Sequence, residues 1–474
     1  MTVSPIAVDA GALVLDALGV IVVLGFVGLH SGVALLLLRA MPELWSRWDL
    51  SDDDAMRAVL ASPALPTVSV AVTGSAVADW TIGGVHALLA LHYPRFEVVL
   101  VHDGLANGDL AALIEEFDLY QVPPAVLVNV PTGAVRAYYR SRHHGKLFVI
   151  DKALAGEADD LNAALNASRF PYVLMMSAGT MLRADALTRL MRPHLVGQPI
   201  AAVSAAARIA GSGTWWGGAL AIRTLRDLVY SRLGWNGVGG QLVTDGGVIL
   251  HRRDHLLAID GYRLSARDPS LDLVVRLRAY LATQRLADAI LTIPDPVASM
   301  REPPVRDLLR RRAAAHDGQL QVLATHRALL FGSQRGIRRL PATMNLLAGA
   351  TVAPVLELTG YALLARSLLV TGTGDPFVPL FLLAVPGFAL TLSLWAIVLE
   401  AHARGFTSRW EIARMCGHAV LEQLWYRQWV MWSRLRALWR SMRGRTGAST
   451  EPTVPPAPAA PTHVVMATDQ AVPR

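Results

Sequence analysis

Three long apolar runs punctuate this chain. From Ala17 to Leu38 no residue is Asp, Glu, Lys or Arg, and about 22 residues at a helical rise of about 1.5 Å each cover the hydrocarbon core of a bilayer. Met344 to Leu369 is a second run, interrupted by Glu357 and Arg366, and Phe377 to Leu399 is a third with no charge at all. The connector between them, Val370 to Pro376, is short and holds a single Asp. The pattern predicts transmembrane helices over 17–38, 344–369 and 377–399. A secretory leader would place Lys or Arg ahead of its apolar segment. Met1 to Ala10 has neither, so the first run reads as a permanent anchor behind a short N-terminal segment, 1–16.

Positive residues are retained on the cytoplasmic side of bacterial-type membranes. The N-terminal segment and the 370–376 connector carry no Lys or Arg, whereas the middle region and Arg404 to Arg445 are rich in them. The expected topology is multi-pass in a bacterial cytoplasmic membrane, with the N-terminus outside and both the middle domain and the C-terminal tail in the cytoplasm. Trp45 and Trp48 fall in an expected interfacial linker, 41–65. Trp410, Trp425, Trp429, Trp432 and Trp439 stand among arginines in 404–445, as in helices that lie in the headgroup layer. Residues 301–343 read as further amphipathic or interfacial helices. A fourth span over Met415 to Trp432 stays open, but it would bury Glu422 and Arg427, which is costly in lipid. From 446 to 474 a Pro/Ala-rich tail predicts disorder.

Composition supports the membrane reading. Hydrophobic residues make up 53% of the 474 and charged residues only 17%, below the roughly 25% of soluble domains. A net charge of +7 would suit nucleic acid or anionic lipid, and its concentration beside apolar runs favours membrane lipid and no nucleic acid. Cys416 is the single cysteine, so no intramolecular disulfide forms. Of the 44 basic residues only Lys146 and Lys152 are lysines, which suggests a GC-rich bacterial source.

Between 66 and 300 short β-rich runs alternate with helical ones, which predicts an α/β domain around a mostly parallel mixed sheet. Val68 to Val72, Glu97 to Val101, Leu147 to Ile150 and Tyr172 to Met176 are the expected strands. Ligands of such sheets bind at the carboxyl ends of the strands. The runs Thr67 to Val72, Leu88 to Pro94, Phe96 to Val101 and the Asp103–Gly104 turn resemble the opening of family-2 glycosyltransferases with the GT-A nucleotide-sugar fold. The resemblance continues through Val149 to Lys152, Ala158 to Asn166, Asp185 to Leu187, Gly261 to Arg263, Leu273 to Leu277 and Pro294 to Val297. Glu357 to Tyr361 and Tyr426 to Gln428 are similar to the membrane part of polysaccharide-synthase-like members.

That resemblance implies four reacting places. The first is an acidic pair after the second strand that holds the nucleotide; here it reads His102–Asp103, with Thr73 and Ala178 as further implied nucleotide contacts. Asp103 as a plain turn cap is the competing reading. The second is an Asp-x-Asp whose oxygens hold Mg²⁺ or Mn²⁺ against the diphosphate. Ser177, Ala178 and Gly179 stand there, so no metal is expected to bind in that manner. Asp185, further on, reads as a helix start. The third is a Glu–Asp pair whose Asp is the general base, and its positions fall on Pro269 and Ser270. Asp268 and Asp272 flank Ser270 as conceivable substitutes, although a helical step of two residues turns a side chain well away. The fourth, Gln-x-x-Arg-Trp, falls on Arg311 to Ala315, where Ala314 and Ala315 replace the Arg and Trp. Arg310, Arg311 and Arg312 remain as possible phosphate contacts, or as a lipid-facing patch.

Two lesser departures agree. The turn after the first strand is Thr73 to Val77 in place of Pro-x-Tyr-Asn-Glu, and Gly156–Glu157 stands where the resemblance implies Gly-Lys. Losing a general base alone removes about 10²- to 10⁴-fold of rate. His143 and His144 read as a solvated loop rather than metal ligands, and Gly234 to Gly240 as a flexible loop without assigned chemistry. The leading expectation is a membrane-bound, catalytically lapsed glycosyltransferase-like component of envelope polysaccharide or glycolipid assembly, with partners among the proteins of that machinery and no cofactor. An active, metal-independent transferase and a nucleotide-binding sensor without turnover are the alternatives. Nucleotide sugar is a ligand in either, and Mg²⁺ or Mn²⁺ a cofactor only if the chain is active.

Overall fold

A computed structural model of the chain describes residues 5–46, 62, 65–74, 78–103, 109–123, 126–195, 200–210, 214–241, 247–284, 286, 290–327, 340–404 and 409–442. The Pro/Ala-rich tail, most of the 41–65 linker and Gly104 lie outside them. Helix α1 (Pro5–Ser46) carries the first apolar run and continues past both of its expected ends.

The elements of the middle region follow in chain order: β1 (Val68–Thr73), α2 (Ala78–Leu89), β2 (Phe96–His102), α3 (Asp109–Glu116), β3 (Leu119–Val122), β4 (Val135–Ser141), β5 (Leu147–Lys152), α4 (Glu157–Ala167), β6 (Tyr172–Ser177), β7 (Thr180–Leu182), α5 (Ala186–Leu195), β8 (Ala202–Ala210), α6 (Trp215–Arg226), β9 (Gly247–Arg252), α7 (Arg253–Ala258), α8 (Pro269–Thr283) and β10 (Ile290–Arg301). They build one ten-stranded sheet in the order β3-β4-β5-β2-β1-β6-β9-β8-β10-β7.

Its centre, β5-β2-β1-β6, is parallel. Toward the edges β3, β4, β9 and β7 run antiparallel to their neighbours, while β8 and β10 pair parallel. All four expected strands are there, and they form the parallel centre. Every residue of β1 is buried, as expected of a strand covered on both faces. One cluster, with Val68, Val70, Val98, Leu100 and Val149, fills one side of the sheet. Another, with Ala71, Val99, Val101 and Ile150, fills the side under α4.

The remaining helices are α9 (Val305–Thr325), α10 (Leu340–Leu347), α11 (Ala353–Val370), α12 (Phe377–Leu382), α13 (Phe388–Arg404), α14 (Arg409–Leu421) and α15 (Arg427–Met442), with one-turn π segments at Ala348–Val352, Leu383–Gly387 and Glu422–Tyr426. Among the described residues three helical stretches are long and apolar enough to cross a membrane, Leu13–Pro42, Pro341–Val370 and Phe377–Leu399. Arg409–Met442 is not one of them. It exposes Trp410, Trp429, Trp432 and Trp439 and buries Glu422, so the carboxylate that counted against a fourth span is covered by protein, with a partner. Arg226 donates to Glu422 at 2.8 and 2.6 Å and to Ser393 at 3.0 Å. Arg427 donates to Glu357 at 2.6 Å.

Close packing joins the three apolar stretches. Val22 and Phe26 of α1 pack with Leu363, Phe381 and Val385. A Cβ on Gly360 would collide with the Phe381 ring and lie 3.1 Å from Val22, so this position admits only glycine without moving a neighbour. Gly360→Val is expected to cost about 1–3 kcal/mol through overpacking, read as a lower Tm in detergent; an unchanged Tm would mean that α1 and α11 do not meet there.

Candidate functional site

The parallel register brings four strand ends to one edge. Thr73 pairs with Ser177 and His102 with Asp151, and the Ala178 N–H donates to the Thr73 carbonyl at 2.8 Å. Because side chains alternate across a strand, this edge carries different chemistry on its two faces.

On one face His102 Nδ1 lies 3.4 Å from Asp151 Oδ1. Arg136 grips the same carboxylate with Nε at 3.0 Å and Nη2 at 2.6 Å, and Nη2 also donates to the Lys152 carbonyl at 2.7 Å. The β4/β5 register slips between Val135 and Ala137, and such a bulge re-aims the residue it contains, here Arg136. A chain of three polar side chains, His102–Asp151–Arg136, therefore lines this corner.

On the other face lie Asp103, Lys152, Asp159 and Asp160, all buried. Helix α4 begins after Gly156, whose φ of 106° suits glycine, and its acidic first turn faces the positive end of the helix dipole. Lys152 Nζ donates to Asp159 and, at 2.9 Å, to Asp160. Burial pushes the Asp160 carboxyl up to about 6, with Lys152 opposing and Asp103 and Asp159 adding to the rise. The polar residues that follow hold the backbone: Asn162 donates to the Pro131 and Tyr262 carbonyls and Asn166 accepts from the Asn129 and Val130 amides. The Ala158–Asn166 stretch thus clamps the loop before β4 onto the domain.

Where the resemblance implied metal ligands, Ser177 is exposed and Gly179 turns the chain into β7 with φ +88°. Among the described residues no three His, Cys, Asp or Glu side chains are grouped to hold a metal ion. The hydroxyl of Ser177 and the backbone of Gly179 do not supply the anionic oxygens that Mg²⁺ or Mn²⁺ needs, so the residues present do not fit a divalent cation held in that way.

Where the resemblance implied a general base, Asp268 caps α8, its Oδ1 accepting from the Leu271 amide at 2.9 Å, and Ser270 is half-buried in the first turn. Asp272 is buried. It accepts from Arg276 Nε at 2.7 Å and His326 Nε2 at 2.6 Å, with Arg263 at 3.8 Å. Burial would raise its pKa, but the His326 and Arg276 hydrogen bonds outweigh that and hold the carboxyl below the ordinary range. A carboxylate held ionised by cations is a weak proton acceptor. Helix α9 lies across this corner: Gln321 accepts from the Arg267 amide at 2.8 Å and donates to the Ser265 carbonyl at 3.0 Å. It presents Arg310 and Arg311 to solvent, with Arg312 and Ala315 half-buried and Ala314 exposed.

The structure thus joins Thr73 with Ala178, and His102 with Asp151. It ties Asp268 and Asp272 into a helix cap and a cation network. Sequence reasoning passed over Arg136, Asp151, Lys152, Asp160 and His326. The readable signal was the adjacent pair Asp151–Lys152, whose opposite charges at the end of a buried strand must find partners on opposite faces of the sheet.

No protein-family model matches this sequence, and no curated protein matches it. Among solved structures, the chain is similar to mannosyltransferase PcManGT from Pyrobaculum calidifontis, determined with GDP-Man and Mn²⁺, with 16% identity, 87% of this chain and 99% of that chain covered, and a TM-score of 0.51. S. aureus TarS with UDP-GlcNAc aligns at 11% identity over 76% of this chain and 92% of that chain, TM-score 0.37. Glucosyl-3-phosphoglycerate synthase from Mycobacterium tuberculosis aligns at 15% identity over 57% of this chain and 83% of that one, TM-score 0.34. With the strand order above, the first of these makes the fold GT-A glycosyltransferase-like.

Proposed function

We propose that this chain is a membrane-bound, family-2 glycosyltransferase-like protein that keeps the nucleotide edge of the GT-A fold and has given up metal-assisted sugar transfer. The observation that carries the reading is the end of β6: Ser177 and Gly179 stand beside Thr73 where a diphosphate would need a cation holder. The second support is Asp272, the acidic side chain in the first turn of α8, which is bound to Arg276 and His326. The role that follows is a partner or scaffold in bacterial envelope polysaccharide or glycolipid assembly, with the N-terminus outside and the GT-A-like domain and C-terminal tail in the cytoplasm.

A second reading, nucleotide binding without turnover, is favoured by the corner at His102 and Asp103. There a side-chain chain ending in Arg136 is built rather than merely lost. A structurally similar protein solved with GDP-Man and Mn²⁺ makes a nucleotide sugar the ligand class to test first.

Calorimetry on the detergent-purified chain with UDP and with GDP, each with Mg²⁺, Mn²⁺ or chelator, separates the readings. Binding that ignores the metal and weakens at least tenfold in Asp103→Ala is expected for the nucleotide-binding form, and no binding for the bare scaffold. Metal-dependent micromolar binding, or sugar transfer that disappears in Asp103→Ala, would restore the active transferase.

A further inference from the structure

Helix α15 has two unlike faces. Val430, with Tyr426 just before the helix, turns toward the protein and packs with Ala219 and Leu220 of α6 and Leu308 of α9. Trp429, Trp432, Arg436 and Trp439 follow one another at steps of three and four residues, which sets them along a different face. The three indoles are 43%, 57% and 53% exposed. Arg436 Cζ stands over the Trp432 ring, 5.3 Å from its centroid, where guanidinium and indole attract. One exposed apolar side chain is ordinary on a protein surface, but three tryptophans in a line mark a contact.

Charge and position say what the contact is. The sequence of α15 holds four arginines, at 427, 434, 436 and 440, and no Asp or Glu. Its neighbour α9 has four arginines against two aspartates and exposes Arg306, Arg310 and Arg311. The indoles therefore stand in basic surroundings. The first turn of α15 is fastened to α11: Arg427 donates to Glu357 at 2.6 Å and Gln428 to the Tyr361 hydroxyl at 3.2 Å. Both acceptors lie in Pro341–Val370, one of the stretches long and apolar enough to cross a membrane. The stripe thus starts beside an apolar stretch.

We infer that α15 reads the charge of the lipid leaflet, setting its tryptophans among the headgroups and its arginines on anionic lipid phosphates. Indole favours a boundary that is apolar on one side and wet on the other, and arginine beside it is drawn to negatively charged lipid. An acidic protein surface would match the charge but not a stripe that begins against an apolar helix. The inference rests on the protein being membrane-bound and uses none of the nucleotide chemistry.

The full chain is reconstituted in vesicles of phosphatidylcholine and phosphatidylglycerol, with bromine on the acyl chains of one lipid or the other. The fluorescence lost in Trp432→Phe/Trp439→Phe isolates the stripe. Brominated phosphatidylglycerol is expected to quench it about threefold or more better than brominated phosphatidylcholine at equal mole fraction. That preference is expected to vanish at high salt and in Arg434→Gln/Arg436→Gln/Arg440→Gln. Equal quenching by the two lipids overturns the inference. So does quenching by aqueous acrylamide and by neither lipid, the result for a stripe that faces water or awaits an acidic partner. A chain that fails to float with the vesicles overturns the membrane-bound reading too, whereas flotation with unquenched indoles overturns this inference alone. Both variants are expected to keep the wild-type Tm in detergent, which separates lost lipid contact from lost folding.

Discussion

Arg226→Met is expected to destabilise the whole chain by about 3–5 kcal/mol, because removing one partner of a buried ion pair strands the other. Glu422 is 2% exposed, and Arg226 meets both of its oxygens. The pair is one end of a longer polar chain. Gln423 donates to Glu422 at 3.1 Å and accepts from Arg427 at 3.2 Å, and Arg427 reaches Glu357 at 2.6 Å. Arg226→Met combined with Glu422→Leu is expected to recover most of the loss, since apolar residues of similar volume often replace a buried pair without penalty. Combined with Glu357→Gln, the effects are expected not to add, as both act on one network. Thermal unfolding in detergent measures all of these. A change within about 0.5 kcal/mol for Arg226→Met, ordinary for a surface position, would show that Glu422 is solvated and that the C-terminal helix is not docked on the domain.

Lys152→Met is the second large effect, and it depends on pH. Lys152 is fully buried between Asp159 and Asp160, each 2% exposed. In the intact protein Asp160 titrates at about 6, against an ordinary value of 3.8. A folded pKa above the unfolded one favours the protonated folded state. The contribution is fully present below about pH 4 and is lost as pH rises through about 6, amounting to about 3 kcal/mol by linkage. Removing the lysine removes the influence that opposes that rise, so Asp160 moves further up. The variant is expected to lose about 3–5 kcal/mol at pH 8 and to regain much of it by pH 5, as the stranded carboxyls take up protons. Asp160→Asn is expected to flatten the wild-type dependence between pH 4 and 6. Equal stability of Lys152→Met at pH 5 and pH 8 would remove the buried-cluster account.

What the sequence disclosed was governed by burial. The four central strands are runs of Val, Leu and Ile between turn residues, and a strand buried on both faces leaves that unbroken signature. The other six are quieter. β3 and β7 have four and three residues, β4 is rich in Arg and Tyr, and β8 is mostly alanine, a poor strand former in isolation, paired here between β9 and β10. The apolar helices were legible because their character is spread over a whole segment and does not rest on single positions. At the candidate site Ser177 and Gly179 could be read directly, because residue type is visible in one dimension. The fate of Asp272 could not, since its partner His326 lies 54 positions away. The partner of Glu422 was hidden for the same reason: its cation comes from α6, 196 residues earlier.

The packing of α1 also sets an order of events during synthesis. Phe26 meets Phe381 edge to face at a centroid distance of 6.3 Å, yet about 355 residues separate them, which at about 5–20 residues per second is roughly 20–70 s of translation. For that interval the first helix waits without the neighbours that cover Val22 and Phe26, while the entire sheet emerges from the ribosome. A long uncharged segment has no counter-ion to wait for, whereas the later helices, carrying Glu357 and Arg427, meet their charge partners only in each other. The apolar helix comes first and the charged keystones last, so truncation before about residue 427 would leave the Glu357 carboxylate in α11 without its counter-ion.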